Sequence, residues 1–308
     1  MALLEVTNVD ARYYGSSFEL KDVNLTLSKG QRLVICGREN SGKTTLLRVL
    51  CGLEEYCGGS ILLEGKQLKN LSQKDMDVGF TFDRRVLDNK ATAKDAISYP
   101  MKLRNAPTQD IESYLESTSS RCNIPMQSQI KDLSDMQVAM LILARLFAAQ
   151  RRLYIVDDVW KDLSQVEKEA AFDYLTEQIR DKSVIVATDD IVFAKRISTE
   201  RVVVLTDKQV LPMLSAEEIG KRPLNMQSAI FAGYELHIGE LTKIEDCYFA
   251  SLYGEQYEVA KPIGDIYVGK KVCFAIRRLG GPCKEDEVGD GMVMSFYYDL
   301  DNERIITC

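Results

Sequence analysis

The sequence predicts an α/β fold with a parallel sheet covered on both faces, followed by a small, mostly antiparallel β domain. Three observations predict it. First, the apolar run Arg32-Leu33-Val34-Ile35-Cys36 has the length of a buried strand. It leads into Gly37-Arg38-Glu39-Asn40-Ser41-Gly42-Lys43-Thr44-Thr45, and residues 45–50 continue as a helix. Second, apolar runs at 153–158 and 183–188 alternate with helical stretches at 137–150 and 166–181. Third, after about residue 221 the pattern changes to short alternating runs separated by turn residues.

In chain order, residues 3–14 alternate as a strand and 18–27 form a second, ending at the turn Ser28-Lys29-Gly30. The strand at 32–36 and its glycine loop come next. Residues 60–66 read as a short hairpin strand and 78–82 as another strand, ending at Asp83. From about 86 to 132 the chain is helical and polar, with helices at 91–103 and 108–123. Thr108 is the expected N-cap of the second, with Asp110 and Glu112 supplying negative charge to its first turn. Helix 137–150 is apolar on almost every side, which predicts burial on most faces. Strand 153–158 ends in two carboxylates, Asp157 and Asp158. An amphipathic helix at 166–181, a buried strand at 183–188, a helix at 191–198 and a strand at 201–205 follow. Beyond these, strands are expected at 236–244, 247–252, 256–259, 272–277, 292–298 and 304–308. The organisation is therefore a first domain over 1–220, with a helical subdomain at about 86–132, and a β-rich domain over 235–308.

The chain has 308 residues, 45% hydrophobic and 28% charged, the balance of a globular protein with a sizeable core. Its net charge of −7 argues against nucleic acid as a partner. Eight cysteines, none in a C-x-x-C pair, and a single histidine, His237, argue against a Cys/His metal centre and for reduced thiols in the cytoplasm. No apolar run is long enough to span a bilayer, so work at a membrane would need other, membrane-spanning chains.

The glycine loop has the spacing G-x-x-x-x-G-K-[ST] between a strand and a helix, the setting in which such a loop binds phosphates. Its glycines let successive N–H groups point at phosphate oxygens, and the helix start adds a positive dipole end. Lys43 is expected to reach the β- and γ-phosphates and the Thr44 hydroxyl to ligate Mg²⁺.

These features, with Leu133-Ser134-Asp135-Met136-Gln137 ahead of helix 137–147 and strand 153–158, resemble the nucleotide-binding subunit of the ABC ATPase family over about residues 3–219. The run at 133–137 is similar to the family signature L-S-G-G-Q. The resemblance implies ATP and Mg²⁺ as ligands and a head-to-tail pair with a second ATPase chain, the same or different. Each phosphate loop then faces the partner's Ser134 and Gln137 positions. It implies that Tyr14, 23 residues before Gly37, stacks on adenine, with Tyr13 as the alternative. It further implies that Asp157 holds Mg²⁺, that segment 86–123 receives membrane-spanning permease subunits, and that the C-terminal β domain is regulatory or dimerising. The alternative is a non-transport regulator or scaffold switched by ATP-dependent dimerisation.

Departures from the pattern concentrate at the chemistry. The family places glutamate, the general base, where this chain has Asp158. The side chain is one methylene shorter, about 1.5 Å, and a misplacement of about 1 Å can cost on the order of 10² in rate. Asp189 stands at the switch-histidine position and Asp83 at the sensor-glutamine position. Asp135 and Met136 replace the signature glycines, and Ser164 replaces an aspartate of the dimer-contact loop. The expectation is a site that binds Mg–ATP and turns it over slowly, with Asp158 as a weak base.

Overall fold

The structure is a computed structural model. It describes residues 2–12, 19–37, 40–81, 87–197, 201–205, 226–232, 234–252, 254–259, 261–262, 265–278 and 292–298. The chain divides into two compact units, Met1–Met213 and Leu214–Cys308.

The first unit runs β1 (Ala2–Arg12), β2 (Glu19–Ser28), β3 (Arg32–Gly37), α1 (Lys43–Leu50), β4 (Gly58–Leu63), β5 (Lys66–Gln67), α2 (Gln73–Met76) and β6 (Val78–Phe80). It continues with α3 (Ala93–Leu103), α4 (Thr108–Cys122), α5 (Asp135–Ala148), β7 (Leu153–Asp157), α6 (Gln165–Gln178), β8 (Ser183–Thr188), α7 (Ile191–Ile197) and β9 (Arg201–Leu205). Two sheets result. β2-β1-β4-β5 is antiparallel. β6-β7-β8-β3-β9 is parallel throughout. Residues 33–36 of β3, 153–156 of β7 and all of β8 are buried, as the continuous apolar runs require of strands covered on both faces. Leu33, Ile35, Ile155 and Ile185 share one core with Leu46, Leu47 and Leu50 of α1 and with Val6, Leu25 and Ile61 of the antiparallel sheet.

Because the parallel strands run the same way, the loops after β3, β7 and β8 emerge together at their C-terminal edge, and β7, β8 and β3 are neighbours. That edge is where an open α/β sheet offers a ligand crevice. The opposite edge is fastened by Asp77, just before β6. Its carboxylate meets Arg151 at 3.2 Å, Arg152 at 3.3 Å and Arg104 at 3.5 Å. The Arg152 N–H also donates to the Asp77 carbonyl at 3.2 Å, next to the pair Val78–Leu153 that sets the β6–β7 register.

Helix α5 is buried from Val138 to Leu143 and again at Leu146 and Phe147. The helix α4 begins differently from expectation. Thr108 is its first helical residue, and Pro107, with no side-chain cap, takes the N-cap place. Proline holds φ at −56° there, and its carbonyl accepts from Asp110 N–H at 3.1 Å, so no hydroxyl cap is needed to start the turn.

The second unit holds α8 (Met226–Ala232), which the sequence patterning did not reveal, and a five-stranded antiparallel sheet. Its strands are β10 (Glu235–Ile244), β11 (Cys247–Leu252), β12 (Glu255–Val259), β13 (Lys271–Arg278) and β14 (Met292–Tyr298), in the order β12-β11-β10-β13-β14. One face buries Leu241, Ala250, Val272 and Phe274. Cys273, Ala275 and Tyr298 pack with Met226 and Ala229 of α8 on the other. The expected strand at 304–308 lies outside the described residues.

Among the described residues no cysteine is paired, and Cys36, Cys51, Cys122 and Cys273 are buried. No helix among them is long and apolar enough to cross a membrane.

Candidate functional site

The loop after β3 is formed by residues that its backbone demands. Gly42 has φ +99°, a region closed to side-chain-bearing residues at low cost, and it caps α1. Its carbonyl accepts Leu46 N–H at 2.9 Å, closing the first helical turn. Lys43 is buried, and its ammonium donates to the Gly37 carbonyl at 2.7 Å, folding the side chain back across the loop it belongs to. Ser41 is 1% exposed, and its hydroxyl has no hydrogen-bond partner among the described residues. A buried hydroxyl left this way costs free energy; in a phosphate loop it is a group waiting for an anionic oxygen. Gly37 is buried and Thr45 half-buried, while Asn40 is exposed with φ +63°. Arg38 lies outside the described residues, as do Tyr13, Tyr14 and Asp83.

The loop after β7 carries the two carboxylates. Asp157 accepts a hydrogen bond from the Thr44 side chain, so the first residues of α1 and the end of β7 meet directly. The Asp157 N–H donates to the Thr81 hydroxyl at 2.8 Å, which fixes the strand end against the segment after β6. Burial pushes the Asp157 carboxyl up, opposed by the Thr44 hydrogen bond and by the charges of Lys43 and Arg48. A hydroxyl and a carboxylate hydrogen-bonded beside a buried lysine suit a hard cation such as Mg²⁺ through oxygen ligands and water. Among the described residues no group of three or more His, Cys, Asp or Glu side chains is arranged to hold a metal unaided.

Asp158 is the strained member. Its φ is +35°, and one carboxylate oxygen is buried without a partner. Burial, then the charge of Asp189, push its carboxyl up to about 6; Lys43 pulls it down, and Asp157 adds to the rise. Asp189, exposed in the loop after β8, therefore acts on the same group. Asp190 turns away from it to cap α7, its carboxylate accepting Phe193 N–H at 2.9 Å. The structure thus gathers Lys43, Thr44, Asp157, Asp158 and Asp189 at one edge of the sheet.

Ser134 and Gln137 occupy a separate place. They form a capping box at the start of α5. The Gln137 N–H donates to the Ser134 hydroxyl oxygen at 3.2 Å, and the Ser134 N–H donates to the Gln137 side chain at 3.0 Å. The Gln137 amide also reaches the Asn123 carbonyl at 2.9 Å. Both residues line a cavity of about 560 Å³ with Met136, Cys122 and Tyr174. Ser164 caps α6 in the same way, donating to Glu167 at 2.6 Å, so its hydroxyl serves its own helix.

The sequence places Ser41 in the phosphate loop but does not show that its hydroxyl is buried without a partner, because burial of a loop serine leaves no sequence signal of its own.

Residues 20–161 match the family model described as ABC transporter. The spermidine/putrescine import ATP-binding protein PotA of Thermotoga maritima is 28% identical over 254 residues, which is 80% of this chain and 68% of that protein. The oligosaccharides import ATP-binding protein MsmX of Bacillus subtilis is 26% identical over 90% of this chain and 78% of its own length. Among solved structures, a dimeric ATP-binding cassette in a post-hydrolysis state bound to ADP and Pi superposes with a TM-score of 0.61 at 21% identity. That match covers 69% of this chain and 98% of the cassette. Residues 20–161 are thus similar to the ABC transporter family, and the first unit shares the fold of a solved ATP-binding cassette.

Proposed function

We propose that this chain, an ABC-type ATPase subunit, binds Mg–ATP for an import complex, paired head to tail with a second ATPase chain, and hydrolyses it slowly. The observation that carries the reading is the hydrogen bond between Thr44 and Asp157 beside buried Lys43, which joins the phosphate loop to the strand-end carboxylate. Relatives named as import ATP-binding proteins support the transport setting.

In this reading the N–H groups of residues 37–45 and the Lys43 ammonium bind the phosphates, and Ser41 donates its free hydroxyl to them. Thr44 and Asp157 hold Mg²⁺, whose charge offsets that of the phosphates. Tyr14 stacks on adenine, while Ser134 and Gln137 at a helix start face the partner's nucleotide. Asp158 takes the proton of the attacking water, from a side chain one methylene short of the usual glutamate. Asp83 and Asp189 stand at the sensor and switch positions and add negative charge beside an anion, which disfavours the approach of further negative charge. The helical segment 86–123 is the docking surface for membrane-spanning permease subunits, which would hold the chain at the cytoplasmic face. The substituted positions favour a second use, a long-lived ATP-dependent switch, and recovery of the native complex with or without a polytopic membrane protein separates the two.

The test is ATP binding by the purified chain with Mg²⁺, strongly weakened in Lys43→Ala, together with its phosphate release. Binding that persists unchanged in Lys43→Ala would refute the site.

A further inference from the structure

An aromatic cluster joins the two loops that carry the carboxylates. Trp160 is the chain's single tryptophan and is fully buried. Its ring meets Phe172 edge-on at 4.9 Å and Phe193 edge-on at 4.8 Å, and those two rings stack on each other. Phe172 belongs to α6. Phe193 belongs to α7, three residues after Asp190, whose carboxylate receives the Phe193 N–H. Trp160 itself follows Asp158 by two residues in a tight turn, where Lys161 N–H donates to the Asp158 carbonyl at 3.3 Å and Leu163 N–H to the Trp160 carbonyl at 3.0 Å. One ring therefore ties the loop after β7 to the helix after β8. The indole N–H has no hydrogen-bond partner among the described residues, so shape and ring contacts hold it.

The loop needs such a hold. Asp158 is in the left-handed region with a buried, unpartnered oxygen, and Asp189 in the next loop bears on it with like charge. Strain of this kind persists only where surrounding structure over-determines it.

We infer that Trp160 is a positioning residue: wedged between Phe172 and Phe193, it fixes loop 157–163 against α7 and so sets where Asp157, which meets Thr44, and with it Asp158 and Asp189, stand relative to the phosphate loop. The inference rests on the nucleotide reading of the site. Removing the ring should disturb nucleotide binding although no phosphate-contacting group is lost. Conversely, a nucleotide arriving at the loops should be felt by the ring, which is also the chain's one indole fluorophore.

The experiment follows tryptophan emission of the full chain during titration with Mg–ATP, while calorimetry records binding independently. The emission should change over the concentration range in which calorimetry records binding. Trp160→Phe keeps a wedge and loses an N–H that bonds to nothing, so its affinity should match wild type. Trp160→Ala should bind at least about tenfold more weakly, because Asp157 then loses its place beside Thr44. Leu143→Ala, an equally buried truncation in α5, should lose stability and keep its affinity. Emission that stays constant while calorimetry shows binding would overturn the inference. So would a Trp160→Ala chain that binds like wild type, or a Trp160→Phe chain that binds as weakly as expected for Ala. Should Trp160→Ala fail to fold, the emission titration and the Phe variant still decide. Absence of ATP binding by the wild type would instead overturn the nucleotide reading, and the positioning role with it.

Discussion

The loop after β3 and the loops after β7 and β8 leave neighbouring strands at one edge of the same sheet, yet they are built on opposite terms. In the first, the orphaned buried atom is the Ser41 hydroxyl, a donor that an anion would satisfy. Gly42 takes the left-handed turn, and the buried Lys43 is held by a carbonyl of its own loop. In the second, an aspartate takes a left-handed turn, keeps a buried oxygen without a partner and faces like charge from Asp189. The first region is organised to receive an anion as it stands. The second holds a carboxylate that burial and neighbouring like charge push up to about 6; it is ionised near pH 7, so its handicap as a proton acceptor is its reach, one methylene short of a glutamate, rather than protonation. In the proposed reading, binding and cleavage are separable properties of this edge, and this chain keeps the elements of the first better than those of the second.

The two largest effects, of similar size, are expected from lengthening the side chain in the second region and from removing the lysine of the first. Asp158→Glu restores about 1.5 Å of reach, so phosphate release should rise by up to roughly 10², with ATP affinity little changed. A release rate that does not move would show that side-chain length is not what separates the two regions. In the first region, Lys43→Ala removes a charged donor worth about 2–3 kcal/mol, which corresponds to a roughly 30- to 150-fold weaker Kd by calorimetry.

The pH dependence sharpens the contrast within the second region. The folded-state carboxyl of Asp158 sits at about 6, above its ordinary value of 3.8. The folded chain therefore holds this proton more tightly than the unfolded chain. The associated stability is fully present below pH 3.8 and is lost as pH rises to about 6 and beyond. The loss is at most about 2–3 kcal/mol, from a shift of about two units. Asp158→Asn should gain melting temperature relative to wild type across that window, and a constant difference would contradict the strained, charged-state reading. The smallest effect is expected at Gly42→Ala. The positive φ there costs a side chain about 1–2 kcal/mol, to be read as a lowered melting temperature that added Mg–ATP does not fully restore.

Much of the fold was legible because each layer left its own pattern. Continuous apolar runs in β3, β7 and β8 announced a sheet buried on both faces, and short alternating runs announced β10 to β14. The capping box at Ser134 and Gln137 was visible only as a motif resemblance; that the two side chains also cap their own helix is a local hydrogen-bond fact. Helix α8 shows no pattern in the sequence because seven residues are too few to establish a period. Thr108 has the hydroxyl that favours a cap, but the proline before it already fixes the turn.

At the site, sequence supplied the identities of Lys43, Thr44, Asp157, Asp158 and Asp189 and the expectation that they meet. It could not supply the left-handed backbone of Asp158, which reads in sequence as the last residue of the strand, whereas the strand ends at Asp157. Nor could it pair Trp160 with Phe172 and Phe193, residues 12 and 33 positions away that only the α6–α7 packing brings together.

The most direct measurement is the fate of bound nucleotide. Wild-type chain is loaded with Mg–ATP, quenched at intervals, and the bound fraction assayed for ATP and ADP. A chain that holds nucleotide better than it cleaves it yields mainly ATP over times many times longer than the ~0.1 s turnover of an ordinary enzyme. Rapid appearance of ADP in the wild type, abolished by Asp158→Ala, would contradict the account.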